Sequence, residues 1–217
     1  MSKEWKGNSA SYRSMLGLNK NSTTSEREAA DYYTTDPTAV EQFVKHIEML
    51  RGHITHSVIW EPACGCGNIS EVLKKHGYIV ISSDLHDRGY GESDIDFLET
   101  YTSFADSHYF CTIDTIITNP PYSLANEFIL HAMDILPIFG RYFALMNLSY
   151  LTGIQRNETI YKKGYLRAIH IYPHRINCYK NNINTGHSSP VNYAWFEFMK
   201  RPKYNVQQIP SIYWIEK

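Results

Sequence analysis

The sequence has few cysteines and lacks a long apolar run, and both features narrow its class. Its four cysteines, Cys64, Cys66, Cys111 and Cys178, include no CxxC pair, so neither a disulfide framework nor a zinc site is indicated. There is no apolar stretch of about 18 residues, as a membrane helix needs, and no charged-then-apolar secretory leader. We therefore expect a cytoplasmic protein with reduced thiols, no metal and no membrane contact.

The chain also lacks a large net charge, at −1 over 217 residues, but its charges are unevenly distributed. Residues 1–149 contain 11 Lys and Arg against 19 Asp and Glu, whereas residues 150–217 contain 10 against 3. A basic segment on a neutral protein suggests a polyanionic partner. A surface that balances its charges across the fold explains the same numbers equally well.

The length and the pattern of the chain predict one α/β domain. Residues 1–25 are polar and aperiodic, which predicts a flexible tail, and we expect a single domain over residues 26–217. Within it, strand-like segments such as "SVIWEPA" and "YIVISSDL" alternate with amphipathic helical segments such as "ISEVLKKHG". This alternation predicts a mainly parallel sheet with helices on both faces. The segments "LRAIHIYP" and "NYAWFEFMK" predict two strands that form an antiparallel C-terminal edge.

Two predicted strands end in turns that suit a ligand site. In "TIDTIITNPPY", Pro120 and Pro121 end the strand and hold Asn119 and Tyr122 at the carboxyl edge of the sheet, where open α/β proteins bind ligands. In "WEPACGCG", glycines allow a tight turn and close ligand approach before a helix. The second turn lacks the GxGxxG fingerprint and the P-loop lysine, which argues against pyrophosphate recognition. Taken alone, each turn is also compatible with an ordinary loop.

Acidic residues follow these turns in an order that suits a nucleoside. Asp84 ends the next strand, 17 residues after Gly67, where a carboxylate can meet a ribose diol. Further on, Asp96 is a candidate acceptor for an adenine amino group, and Phe97 is a candidate to pack beside the ring. Taken singly, Asp84 and Asp96 have capping, turn or surface explanations.

The ordered set "EPACGCG", Asp84, "DIDF" and "NPPY" resembles the DNA adenine-N6 methyltransferases that use S-adenosylmethionine, over roughly residues 31–200. The resemblance implies a Rossmann-like class I methyltransferase fold and S-adenosyl-L-methionine as the cofactor. The upstream "DYYTTDP" resembles the segment that closes over the methionine part of the cofactor. The cofactor contacts that the resemblance implies are Tyr33, Thr34, Pro37, Glu61, Pro62, Ala63, Gly65, Gly67, Asp84, Leu85, Asp96, Phe97 and Asn119.

The resemblance assigns catalysis to Asn119, Pro120, Pro121 and Tyr122. It implies that the Asn119 amide oxygen and the Pro120 carbonyl accept the two hydrogens of the adenine amine, so that positioning does most of the catalysis. Tyr122 then stacks on an adenine that has been flipped out of the duplex. The implied partner is duplex DNA with an adenine-containing site. Alternatives are an RNA adenine-N6 or protein glutamine methyltransferase, or a catalytically silent nucleic-acid-binding module of the same fold.

The basic C-terminal part offers candidate phosphate contacts, because its lysines and arginines are interleaved with tyrosines. Only about 18 residues follow "NYAWFEFM", so we expect no separate target-recognition domain, and a loop or a partner must supply specificity. His174, beside an arginine, is more typical of a polar contact than of a general base. The candidate phosphate-binding residues are Lys162, Lys163, Arg167, Arg175 and Lys180.

Overall fold

The computed structural model describes residues 33–52, 58–100, 113–180, 191–202 and 209–216. The predicted tail at residues 1–25 and Cys111 lie outside these ranges. None of the helices within them is long and apolar enough to cross a membrane. In the same ranges, no group of three or more His, Cys, Asp and Glu side chains could hold a metal ion.

Within the described ranges, seven strands form one sheet and two further strands, β1 and β7, form a separate ribbon. In chain order the sheet strands are β2 (Val58–Glu61), β3 (Ile79–Ser82), β4 (Ile113–Thr118), β5 (Arg141–Asn147), β6 (Leu166–Ile171), β8 (Tyr193–Met199) and β9 (Ser211–Trp214). Their spatial order is β3-β2-β4-β5-β8-β6-β9. The ribbon pairs β1 (Tyr33–Thr35) with β7 (Cys178–Lys180) in antiparallel register.

The predicted α/β class is confirmed, with a mainly parallel sheet. Strand β8 alone among the seven runs antiparallel to its neighbours, β5 and β6. The predicted antiparallel pairing of the two C-terminal segments is therefore present. Strand β8 is inserted between β5 and β6, and β9, which the sequence pattern did not predict, pairs parallel with β6 at the edge.

Helices cover both faces of the sheet, as predicted. On one face, α1 (Pro37–Arg51) and α2 (Asn68–Lys75) bury apolar side chains such as Phe43 and Leu73 against the strands. On the other face, α3 (Ala125–Ile135) buries residues such as Ile129. The short α4 (Ile154–Arg156) continues into a π-helical turn at Asn157–Tyr161.

The parallel strands β2, β3, β4 and β5 all end at one edge of the sheet, called here the carboxyl edge. The last residues of β2, β3 and β4 are Glu61, Ser82 and Thr118. Because the glycine turn, Asp84 and the Asn-Pro-Pro-Tyr turn follow these strands directly, the fold brings all three motifs to this edge.

Candidate functional site

The side-chain amide of Asn119 has a defined orientation. Its Nδ2 donates to the main-chain oxygen of Tyr33 at 3.0 Å and lies 3.3 Å from Oγ1 of Thr35. Because a main-chain carbonyl can only accept, the nitrogen of the amide must face β1. The Asn119 Oδ1 atom is buried and has no hydrogen-bond partner among the described residues. The site therefore contains an oriented hydrogen-bond acceptor, Asn119 Oδ1, to which a ligand N–H can donate.

Strand β1 connects the Asn-Pro-Pro-Tyr turn to the glycine turn. The main-chain oxygen of Thr35 accepts from Nδ2 of Asn68, the first residue of α2, at 2.8 Å. Thr34 points its hydroxyl elsewhere, to the main-chain oxygen of Tyr179 at 3.2 Å. Thr35 and Asn68 are thus site residues that the sequence analysis missed, and only the position of Thr35 within "DYYTTDP" and of Asn68 directly after "CGCG" could have indicated them.

The ring of Tyr122 lies in a group of three tyrosines. Its centroid is 5.7 Å from that of Tyr33 and 6.2 Å from that of Tyr193. Pro120 is buried and Pro121 partly buried beneath this turn. A base that stacks on Tyr122 must therefore join this group or displace one of its rings, so the stacking role of Tyr122 stays a prediction.

Asp84 joins the glycine turn to the end of β3. Its Oδ2 accepts from the main-chain N–H of Gly65 at 2.8 Å, and its Oδ1 accepts from that of His86 at 2.9 Å. Gly65 has a φ of 55°, a left-handed conformation that favours glycine. Each carboxylate oxygen of Asp84 can accept a further hydrogen bond, so the residue both shapes the turn and remains able to bind a hydroxyl.

Gly67 is needed for packing within the protein. A Cβ atom at this position would lie 2.6 Å from the ring of Tyr90. The Tyr90 hydroxyl is itself held by Lys74 Nζ at 2.7 Å and by Glu71 Oε1 at 2.5 Å. The close approach that the sequence analysis expected from a ligand at Gly67 is therefore made by Tyr90.

Glu61 acts on the turn from inside the protein. Its buried carboxylate accepts from the main-chain N–H of Ser70 at 2.8 Å and also from the Ser70 hydroxyl. Burial raises the pKa of Glu61 to about 8, against the opposing effect of the Ser70 hydrogen bonds. Glu61 thus anchors the first turn of α2, and Pro62 beside it is also buried. Glu61 is 1% exposed, so the direct cofactor contact predicted for it stays a prediction that its burial does not support.

The residues predicted to surround an adenine ring differ in their exposure. Phe97 is buried in the core, with its ring centroid 5.1 Å from that of Trp60 and 4.7 Å from that of Phe128. The segment "DIDFLE" forms a turn that directs the phenyl ring into the core, so the packing of Phe97 beside a ligand ring stays a prediction that its burial does not support. Asp96 caps this turn and stays partly exposed, and Leu85 is 44% exposed.

The remaining predicted cofactor contacts lie around these groups. Pro37 is exposed at the first turn of α1, where Asp36 caps the helix through the N–H of Thr38 at 2.9 Å. Ala63 is partly buried and packs against the core. Both stay candidate contacts at the margin of the site.

The predicted phosphate-binding residues do not form one surface. Strand β6 runs from the edge of the sheet where the parallel strands begin, called here the amino edge, to the carboxyl edge. Leu166, at the start of β6, and Tyr142, near the start of β5, pair with the same residue of β8. Lys162, Lys163 and Arg167 therefore lie at the amino edge, opposite the site. Lys162 is also paired with Glu158 at 2.5 Å.

Arg175 and Lys180 follow β6 and so lie at the carboxyl edge, with Asn119. Arg175 is exposed, and Lys180 pairs with Tyr33 in the ribbon. The basic segment is therefore divided into a far group of three residues and a site group of two.

Comparisons with known proteins agree with this architecture. No protein-family model and no curated protein matches the chain. Among solved structures, the chain is similar to a protein from Listeria monocytogenes assigned to the class I S-adenosylmethionine-dependent methyltransferases, with a TM-score of 0.58 and 14% identity over 95% of this chain and 71% of that one. It is also similar to the methyltransferase subunit of a type I restriction-modification system from Streptococcus thermophilus, with a TM-score of 0.57 and 12% identity over 79% of this chain and 45% of that one.

A third similar structure comes from Pyrococcus horikoshii and is assigned as an RNA methyltransferase. Its TM-score is 0.52, with 15% identity over 78% of this chain and 88% of that one. At such low identities the likeness concerns the fold and not the substrate. The chain therefore has the Rossmann-like fold of the class I methyltransferases.

Proposed function

We propose that this protein is a methyltransferase that transfers a methyl group from S-adenosylmethionine to the N6 amine of adenine in DNA. The observation that carries the proposal is the buried, unpartnered Oδ1 of Asn119, held at the end of β4 by the contact of its Nδ2 with the Tyr33 carbonyl. An exocyclic amine offers the N–H group that this acceptor lacks. Leaving the acceptor unsatisfied costs about 1–3 kcal/mol, so the site favours such a ligand.

The chemistry follows from where the acceptors lie. The lone pair of the adenine amine is delocalised into the ring, which makes the nitrogen a poor nucleophile. Asn119 Oδ1 accepts one amine hydrogen and the Pro120 carbonyl accepts the other, which localises the lone pair on nitrogen and directs it. S-adenosylmethionine supplies the methyl group on a sulfonium, which is a good leaving group. The methylated nitrogen then releases one proton to solvent, so no carboxylate base is required.

The residues around the glycine turn fit the cofactor. Asp84 retains acceptor capacity on both carboxylate oxygens, which suits the two hydroxyls of a ribose. Leu85 follows it with an exposed apolar side chain, and Asp96 offers a partly exposed carboxylate for an adenine amino group. Glu61 and Tyr90 hold the turn in shape from behind.

Adenine in a nucleic acid is favoured over protein glutamine by one observation, and DNA is the choice that the order of the motifs implies. The exposed Arg175 lies at the same edge of the sheet as Asn119, where it can contact a phosphate. One structure of similar fold is the methyltransferase subunit of a type I restriction-modification system. RNA adenine and protein glutamine also carry planar nitrogens that suit the Asn119 acceptor, and the fold is similar to that of a protein assigned as an RNA methyltransferase.

Incubation of the purified protein with isotope-labelled S-adenosylmethionine and plasmid DNA, total RNA or protein extract tests the proposal. The products are digested and separated by mass spectrometry. We expect label in N6-methyladenine from DNA. Label only in RNA N6-methyladenosine or only in methylglutamine would contradict the proposal and support the RNA or the protein glutamine methyltransferase instead. No label in any pool would support the catalytically silent nucleic-acid-binding module.

A further inference from the structure

Three exposed apolar side chains lie at the carboxyl edge around the Asn-Pro-Pro-Tyr turn. Leu124 is 40% exposed and follows that turn directly, while Leu151 and Ile154, 40% and 86% exposed, follow β5, the neighbour of β4. We call Leu124, Leu151 and Ile154 the apolar rim. Single exposed apolar residues are ordinary on protein surfaces, but three of them at the edge that holds a buried unpartnered acceptor need an explanation.

The segment that carries two of these residues is well held. Asn147 Oδ1 accepts from the N–H of Ser149 at 3.0 Å, and the Tyr150 hydroxyl donates to Asn126 in the first turn of α3 at 2.9 Å. The guanidinium of Arg156 lies 4.3 Å from the centroid of the Tyr150 ring and donates to the main-chain oxygens of Tyr150 and Thr152. These bonds hold Leu151 and Ile154 outward on a fixed backbone.

A flipped base leaves a gap in the duplex that must be filled. Proteins that distort DNA commonly insert an apolar side chain between base steps, which offsets part of the lost stacking. We propose that Ile154, supported by Leu151, enters the duplex where the target adenine has been extruded and so stabilises the flipped state. This inference rests on the proposed function, since it requires adenine in a duplex as the substrate.

Charge at the same edge agrees with a duplex as the occupant. Arg156 lies two residues after Ile154, where it bonds Tyr150 and Thr152, and the exposed Arg175 follows β6 at the same edge of the sheet. Of the acids nearest in sequence, Glu127 lies in the first turn of α3 at this edge, and Glu158 lies in the π-helical turn and pairs with Lys162. A protein partner would satisfy the apolar side chains equally well, but would leave the neighbouring Asn119 acceptor without a role.

The test compares Ile154→Ala with Ile138→Ala. Ile138 is a matched control because it is also an exposed isoleucine, at 53%, but lies between α3 and β5 at the amino edge. Each variant methylates plasmid DNA and the same DNA after heat denaturation, and N6-methyladenine is counted by mass spectrometry. A second readout, independent of methyl transfer, is the permanganate reactivity of thymines left unpaired in the duplex.

We expect Ile154→Ala to lower the ratio of duplex to single-strand methylation about tenfold and to reduce the reactive thymines, because single strands need no wedge. Ile138→Ala should match wild type in both readouts. An unchanged ratio in Ile154→Ala, with an active wild type, would overturn the inference while the proposed function stood. If wild type methylates neither form of DNA, the result contradicts the proposed function, and the inference falls with it.

Discussion

The side-chain nitrogen of Asn119 and the main-chain oxygen of Tyr33 lie 3.0 Å apart, although 86 residues separate them in the chain. This hydrogen bond makes the β1–β7 ribbon part of the candidate active site. It turns the Asn119 amide so that its nitrogen is occupied and its buried oxygen is left without a partner among the described residues. The ribbon therefore serves as an orienting element for the acceptor.

The two adjacent threonines of β1 give a matched test of this orientation. Thr35→Val removes the hydroxyl that lies 3.3 Å from Asn119 Nδ2, whereas Thr34→Val removes one that bonds Tyr179 instead. We expect Thr35→Val to lower the rate of methyl transfer by about tenfold with little change in cofactor affinity, because only the acceptor is disturbed. Thr34→Val should keep the wild-type rate at saturating S-adenosylmethionine, a condition that removes any effect of losing the cofactor contact predicted for Thr34. Equal rates for the two variants would show that the Thr35 hydroxyl does not orient the Asn119 amide.

Asp84 has a role in binding that can be measured without turnover. Asp84→Asn keeps the size of the side chain but removes its charge, so we expect the affinity for S-adenosylmethionine in calorimetry to fall by about 1–3 kcal/mol. Asp87→Asn is the control, since Asp87 lies three residues further on and caps only the exposed Gly89 N–H. If both variants bind as wild type does, Asp84 does not contact the cofactor.

Much of the fold could be predicted because its signals are local. The proline pair ended β4 where expected, and Asp36 with Pro37 began α1, since capping and φ restriction act over a few residues. The position of β8 inside the sheet and the addition of β9 could not be predicted, because strand order depends on packing between distant segments.

The site was predicted in outline but not in the roles of its members. The sequence order placed Asn119, Asp84 and the glycine turn at one edge, which the parallel topology confirmed. It could not show that Phe97 faces the core, or that Tyr90 fills the space beside Gly67. Those facts depend on which face of a turn meets the core, and a single sequence does not encode that locally.

The division of the basic residues leads to a prediction for DNA binding. Arg175 lies at the edge of the site and Lys163 at the opposite edge. Each phosphate contact contributes a slope of about −0.9 to the plot of log affinity against log salt, so Arg175→Ala should flatten that plot by about one unit. Lys163→Ala should leave it unchanged. Duplex binding measured at several salt concentrations would contradict the account if Lys163 proved the more important residue.

A buried polar network between α1 and the sheet predicts a pH dependence of stability. His46 Nε2 lies 3.1 Å from His170 Nδ1, and His170 Nε2 lies 3.2 Å from Glu197, which also binds Arg51 and Arg141. Burial lowers the pKa of His46 to about 4, and electrostatic interactions with His170 and Arg51 add to this effect. The folded state thus excludes a proton that the unfolded state binds below about pH 6.5.

Stability should therefore fall as the pH drops from about 6.5 towards 4, with His46 contributing up to about 1.4 kcal/mol per pH unit. His46→Gln keeps a donor for His170 but cannot titrate. Urea unfolding at pH 7, 6 and 5 should give a shallower loss of stability for this variant than for wild type. Parallel curves would mean that His46 does not titrate in this range in either state.

The measurement that tests the central claim most directly is methyl transfer by Asn119→Ala, with cofactor binding measured on the same preparation. We expect S-adenosylmethionine affinity close to wild type and a loss of N6-methyladenine formation of about a hundredfold or more, because the variant lacks the acceptor that holds the amine. Circular dichroism checks that the fold is intact. Wild-type turnover in Asn119→Ala would contradict the account, since the amine would then be oriented by another group.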